Sequence, residues 1–352
     1  MRIRKSLICA LIAVMLCLTC LGACAKRDSK TAQDSKPALK VIIIPKFEIK
    51  KMAGDFPGEA QFFYEKYCTG CGEVEVPHMP PTGHFFMNEE NGVGILVTGA
   101  SKAAASLSLM ALLSSDLFDY SDAYLVSVGC SGGNMSCCTL GDVILVTEVC
   151  DVDLGHRVDA HERTNSGSHV MWFPDNSFAD YECKALDADL CSKAYDMVKD
   201  VPLRTTEKSR EALKDNYPDM KEADFIPSVK KGTSVSGDNY WKGIYGHATA
   251  EFIAEYYECP DPYSVSEMEE MAIANAAECF DMLSRLISFR VIVNSDLFMD
   301  GETPESTWGE YQSFSEKVEN DNSETLDIFE PAMHNLFDTA SVAIEAILAG
   351  NM

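Results

Sequence analysis

Past its first two dozen residues, the chain has no run of roughly eighteen apolar residues, the length that marks a candidate membrane-crossing helix. Basic residues are scarce too: 29 Lys and Arg stand against 55 Asp and Glu, a formal charge of −26. A surface this acidic repels polynucleotides, so nucleic acid is excluded as a partner, although one small anion can still be held by local dipoles. Metal-ligand spacing is also missing. Cys68-Thr69-Gly70-Cys71 is the only pair at zinc-ligand spacing, no second pair matches it, and no metal is expected. That pair reads as a local bridge or as free thiols, with a redox or metal role as the weaker alternative. Cys130 and Cys150 sit in apolar runs, where a cysteine packs as a small hydrophobe. No internal repeat is present, which excludes a solenoid.

What is present begins with an export signal. Arg2, Arg4 and Lys5 precede an apolar run from Leu7 to Leu21, too short for a comfortable span but suited to a secretory signal. It ends in Leu21-Gly22-Ala23-Cys24, which resembles the lipobox of bacterial lipoproteins. Residues 1–23 therefore read as a signal peptide and Cys24 as the lipidated residue. The alternatives are ordinary cleavage after Ala23, or Cys20 as the lipid carrier. Residues 24–38 are almost devoid of apolar side chains and read as a flexible tether. The expected location is the cell membrane, lipid-anchored and facing outside the cytoplasm.

Residues 39–352 read as one α/β domain. Lys40–Pro45, Gly94–Gly99, Tyr124–Val128, Val143–Val149, Thr233–Ser236 and Phe289–Asn294 are the expected strands. The expected helices are Ser101–Leu113, Ser192–Val198, Glu207–Lys214, Ser266–Leu286 and Ile328–Leu348, with Ser101 as an N-cap. In the first of these helices, Ala104, Leu107 and Ala111 recur at helical spacing. Alternation of strands and helices predicts helices on both faces of the sheet. Glu302–Glu324 reads as an acidic loop.

Several strand ends carry unusual chemistry, and ligands of open α/β sheets bind at carboxyl ends of strands. Thr98-Gly99-Ala100-Ser101-Lys102 joins a strand to a helix N-terminus, a place for an anion or merely a tight turn. Gly129-Cys130-Ser131-Gly132-Gly133 brings backbone close to a ligand or to a neighbouring strand. Tyr240 and Trp241 follow another strand and either stack on a planar base or pack. Glu267, Glu269 and Glu270 open an expected helix as dipole partners or as acceptors for sugar hydroxyls. Asp296 ends the last strand.

Taken in order, with Leu117-Phe118-Asp119 and Asp153–Glu162, these segments resemble the purine nucleoside permease family of the nucleoside phosphorylase superfamily. The resemblance implies a three-layer α/β/α sandwich around a mixed, partly barrel-like central sheet. It implies a purine nucleoside as ligand and N-ribosyl chemistry without a cofactor, phosphate being a candidate co-substrate. By motif, Asp296 would protonate the base, Glu269 would hold the ribose hydroxyls and Met268 would lie against the sugar. Tyr240 would stack on the base, the Trp241 backbone would read its edge, and Thr98 and Gly99 would lie near the nucleophile.

One departure matters. Where phosphorylases often carry a phosphate-binding arginine, this chain has Ser127, and the only nearby cations visible in the sequence are Lys102 and Arg157. Pro45–Pro57 offers Glu48 and Asp55 but no match to a catalytic glutamate. Three readings follow: a nucleoside-binding lipoprotein serving uptake through a separate transporter, an extracytoplasmic nucleosidase or phosphorylase, or an unrelated use of the fold that includes a thiol role. A homo-oligomer is compatible with each.

Overall fold

In a computed structural model, residues 36–158, 169, 172–174, 182–217, 220–307 and 326–352 are described. The signal, Cys24, most of the tether, part of the Asp153–Glu162 segment and most of the acidic loop lie outside them. The chain divides into Met1–Lys36 and Pro37–Met352. Within the second unit, the Pro37 carbonyl and the Leu39 N–H already bond to the backbone of Asp119.

The elements run β1 (Val41–Ile44), α1 (Gln61–Tyr67), β2 (His84–Asn88), β3 (Val93–Val97), α2 (Lys102–Ser114), β4 (Tyr124–Gly133), β5 (Val143–Asp151), β6 (His156–Arg157), β7 (Trp172–Phe173) and β8 (Cys183–Ala185). They continue with α3 (Ala188–Val198), α4 (Glu207–Asn216), β9 (Val229–Ser236), α5 (Ile244–Tyr256), β10 (Tyr263–Glu267), α6 (Glu270–Cys279), β11 (Leu286–Ser295) and α7 (Leu326–Leu348). Nine strands form the main sheet in the order β10-β9-β5-β11-β4-β1-β3-β2, with β8 beside β5. A further pairing of β10 with β4 closes β10, β9, β5, β11 and β4 into a ring. Parallel pairs (β1–β3, β1–β4, β4–β11, β5–β9, β9–β10) mix with antiparallel ones (β2–β3, β5–β11, β5–β8, β4–β10). This is the mixed, partly barrel-like sheet of a three-layer sandwich.

The apolar strands form for the expected reason. Val41, Ile42, Ile43 and Ile44 are fully buried, as are Ile95 and Leu96 of β3, because helices cover both faces. Helix α2 packs on α6, and α7 lies over β11, β4 and α3. The expected helix Ile328–Leu348 is α7, whose apolar stripe buries Leu336, Ala340, Ala343 and Ile347 and half-buries Phe337.

Three expectations are corrected. Ser266–Leu286 is not one helix: Ser266 and Glu267 end β10, and α6 spans only Glu270–Cys279. Pairing of Tyr263–Glu267 with β9 and β4 overrides helical spacing there, and Asp281 at φ +55° breaks the chain beyond Cys279. The strand expected over Tyr124–Val128 runs on through the glycine-rich segment to Gly133, which pairs with neighbouring strands. Finally, Leu107 of α2 points outward at 59% exposure, while Ala105, Ser108, Leu109 and Leu112 face the core. Helices α1 and α5 and strands β2 and β10 had no expected counterpart.

Candidate functional site

The ends of β4, β10 and β11 meet because Gly132 and Gly133 pair with Ser266 and Val265 on one side and with Asn294 and Ser295 on the other. A bulge in β11 between Ile292 and Asn294 falls just before Asp296; such bulges re-aim side chains beside active sites. The carboxyl of Asp296 is buried and accepts hydrogen bonds from the Tyr263 hydroxyl and, at 2.7 Å, from the Ser266 hydroxyl. Burial pushes its pKa up to about 6, against the pull of those hydroxyls and of Lys242. A Cβ at Gly132 would stand 2.2 Å from Asp296 Oδ1, so only glycine leaves room for the acid there.

Alongside lies a buried charge cluster. Arg290 of β11 reaches Glu270 at 2.8 Å, Glu267 at 3.0 Å and Glu269 at 3.7 Å. Lys46, just past β1, donates to the Ser127 hydroxyl at 2.6 Å and lies 4.0 Å from Glu270. The Ser127 hydroxyl in turn donates to Glu270 at 2.6 Å. Glu59 accepts from the backbone N–H groups of Lys46 and Cys130, both at 2.7 Å. Gly129 is required here as well, since a Cβ would meet Arg290 at 2.6 Å and Glu59 at 3.0 Å. Four carboxylates thus share two cations. Burial raises the Glu269 pKa to about 7 despite Arg290. Burial lowers that of Lys46 to about 8, Arg290 adding to the effect. For Glu270, attraction to Arg290 and Lys46 outweighs burial, and its pKa falls.

The Thr98–Lys102 turn joins this cluster. The Ser101 N–H donates to Glu269 at 3.1 Å, and the Lys102 N–H to Asp238 at 2.7 Å. The N–H groups of Thr98 and Gly99 bond to the carbonyls of Pro45 and Lys46. The start of α2 is therefore served by the chain's own acids and carbonyls. Met268 is half-buried between Glu267 and Glu269. Trp241 packs 6.5 Å from the Tyr263 ring, which itself holds Asp296, and Tyr240 is 49% exposed on the loop after β9. A groove of about 340 Å³ between α2 and α6, lined by Lys102, Asp151 and Met271 among others, includes none of Thr98, Gly99, Tyr240, Trp241, Met268, Glu269 or Asp296.

Residues 38–351 match the family described as purine nucleoside permease. The chain belongs to the purine nucleoside permease family. A probable purine nucleoside permease of Schizosaccharomyces pombe is 26% identical over 174 residues, 45% of this chain and 49% of that protein. The chain thus spans about half the length of that curated relative. Among solved structures, a Helicobacter pylori 5'-methylthioadenosine/S-adenosylhomocysteine nucleosidase bound to butyl-thio-DADMe-Immucillin-A is similar at a TM-score of 0.51. Its identity is 14%, over 88% of this chain and 99% of that one. The futalosine hydrolase of Helicobacter pylori gives a TM-score of 0.50 at 12% identity, over 90% and 99%. At these identities the likeness establishes the nucleoside phosphorylase-like fold of this permease-family chain.

Five residues of this cluster escaped the sequence reading: Lys46, Glu59, Tyr263, Ser266 and Arg290. Arg290 carried a visible signal, a lone cation inside Phe-Arg-Val-Ile-Val, a strand otherwise apolar. Glu59 lies two residues beyond the Pro45–Pro57 loop searched for an acid. Nothing local marks Tyr263 or Ser266, whose strand read as helix. Arg157, counted as a nearby cation, is exposed on β6. Cys68 and Cys71 are free thiols, and burial pushes the pKa of Cys68 up to about 12, unsuited to nucleophilic work.

Proposed function

We propose that this chain binds a purine nucleoside at the ends of β4, β10 and β11 and cleaves its N-ribosyl bond with water. The observation that carries the reading is Asp296, a buried acid that two hydroxyls hold in place and that is poised near neutral pH. As the C–N bond breaks, its electron pair stays with the base, and Asp296 supplies the proton. The water oxygen bonds to the anomeric carbon, and Glu59 takes the water's proton. Glu269 accepts hydrogen bonds from the ribose hydroxyls and Met268 lies against the sugar. Tyr240 stacks on the base while the Trp241 backbone reads its edge, and Thr98 and Gly99 border the water.

Water is favoured over phosphate because three carboxylates already surround Arg290 and a fourth lies beside it. An incoming phosphate would add negative charge to a site where carboxylates already outnumber cations. The purified protein, given inosine or adenosine, should release free base at the same rate with and without phosphate. Release only with phosphate would make it a phosphorylase. The family description favours a second reading, in which the nucleoside is held uncleaved and passed to a separate transporter. Binding without base release would select it.

Gly132→Ala should lower base release by about 100-fold, since displacing a catalytic group by roughly 1 Å costs that much. An unchanged rate would show that Asp296 Oδ1 does not need its present place. On location, no described helix is long and apolar enough to cross a membrane. Lipidation at Cys24 would hold the domain on the membrane, facing outside. Cys24→Ser should shift the protein from the membrane to the soluble fraction, and an unchanged distribution would dismiss the anchor.

A further inference from the structure

Three cysteines far apart in sequence meet beside the edge strand β8. Cys150 lies on β5 and pairs in register with Cys183 of β8. Cys259 lies between α5 and β10, where its N–H caps α5 by bonding to the Ala254 carbonyl at 3.0 Å. The sulfurs of Cys150 and Cys259 are 3.7 Å apart, those of Cys183 and Cys259 4.0 Å, and all three lie within 4.8 Å of one another. Because Cys259 follows its partners by 109 and 76 residues, no spacing motif announces the group.

We propose that Cys150, Cys183 and Cys259 form a binding site for a thiophilic d¹⁰ cation of the zinc class. With metal–sulfur bonds of about 2.3 Å, sulfurs at the corners of a tetrahedron stand about 3.8 Å apart. The observed separations match that spacing. They exceed by far the roughly 2.05 Å of a disulfide, and three sulfurs cannot pair off evenly. Soft thiolates select zinc or copper(I) over hard cations. Glu148, two residues before Cys150 on β5, is an electrostatic neighbour of Cys183 and Cys259 and a candidate for the fourth corner. Binding releases the thiol protons and tightens as pH rises.

The site is built into a small apolar core with Val152, Trp172, Val235, Ile253 and Tyr263. The adjacent Tyr257 hydroxyl donates to Glu182, next to Cys183. A cation there ties the edge strand β8 and the end of α5 to β5. Its role is to fasten the fold, and it is independent of the nucleoside reading.

The test uses the full chain, purified under reducing conditions, loaded with zinc and desalted. Elemental analysis should find about one zinc per chain, and cobalt substitution should give a thiolate-to-cobalt charge-transfer band. Cys183→Ser and Cys259→Ser should each lose the bound metal and the band, whereas Cys68→Ser and Cys137→Ser should keep both. Cys183→Ser, on an edge strand, preserves a folded protein for the measurement if Cys259→Ser does not. Chelation should lower Tm in the wild type and leave Cys183→Ser unmoved. A disulfide between any two of the three in native peptide maps would overturn the proposal. So would a cobalt band that survives in Cys183→Ser.

Discussion

Asp296→Asn should abolish base release, by roughly 10²–10⁴-fold, the usual contribution of a positioned general acid. The amide fills the same space beside Gly132 and can still bond to the Tyr263 and Ser266 hydroxyls, but it has no proton to give. Nucleoside affinity should change little, so the loss falls on kcat, and binding titration against turnover separates the two. The wild-type rate should also fall as pH rises above about 6, where Asp296 loses its proton. Stability follows the same sign. The folded-state pKa lies above the unfolded value of about 4, so the stability tied to the neutral acid is full below that value and lost as pH passes 6. Above pH 6 the variant should therefore melt no lower than the wild type. A folded Asn variant that still releases base would remove Asp296 from the chemistry.

Arg290→Met should be the most destabilising single change in the site, costing about 3–5 kcal/mol, because it strands buried carboxylates whose charge it had balanced. Only Lys46 would remain against Glu59, Glu267, Glu269 and Glu270. For a domain of this size each kcal/mol moves Tm by roughly 1–2 °C, so thermal melting resolves the effect. Adding Glu267→Gln and Glu270→Gln to Arg290→Met should restore much of the loss, since the neutral amides no longer need a counter-charge. Phosphate at millimolar concentration should leave the wild-type Tm unmoved. A loss below 1 kcal/mol, or clear stabilisation by phosphate, would show that Arg290 is held ready for an anion and is not committed to its glutamates.

The contrast between these two residues measures what could be read from the chain alone. Asp296 was legible because a strand of β-branched residues ends on it, and strand ends are where such sheets bind ligands. Glu269 was legible as an acid at a helix start and Ser101 as a cap, and both hold. Arg290 stood in plain sight but was absorbed into a strand, because sequence periodicity scores a buried cation as noise. Tyr263 and Ser266 were lost for another reason: β10 exists through its pairing with β9 and β4, not through local preference. The same pairing carries β4 past its expected end at Val128, through the glycines that make room for Asp296 and Arg290. The cysteine group was invisible on similar grounds, since three separate elements bring it together.

The contact between β4 and β10 has a kinetic side. The Asn134 side chain reaches the Tyr263 carbonyl across 129 residues of sequence, and the ring closes only after β5, β9 and β10 have been laid beside one another. Loop-closure entropy makes so remote a pairing slow to form. Until it forms, β4 and β10 each present an open edge to other chains. A chain cut short before Ser295 would keep Tyr263, Ser266 and Gly132 but lack the acid they surround. Aggregation during refolding, rather than weak activity, should be the signature of an unfinished molecule.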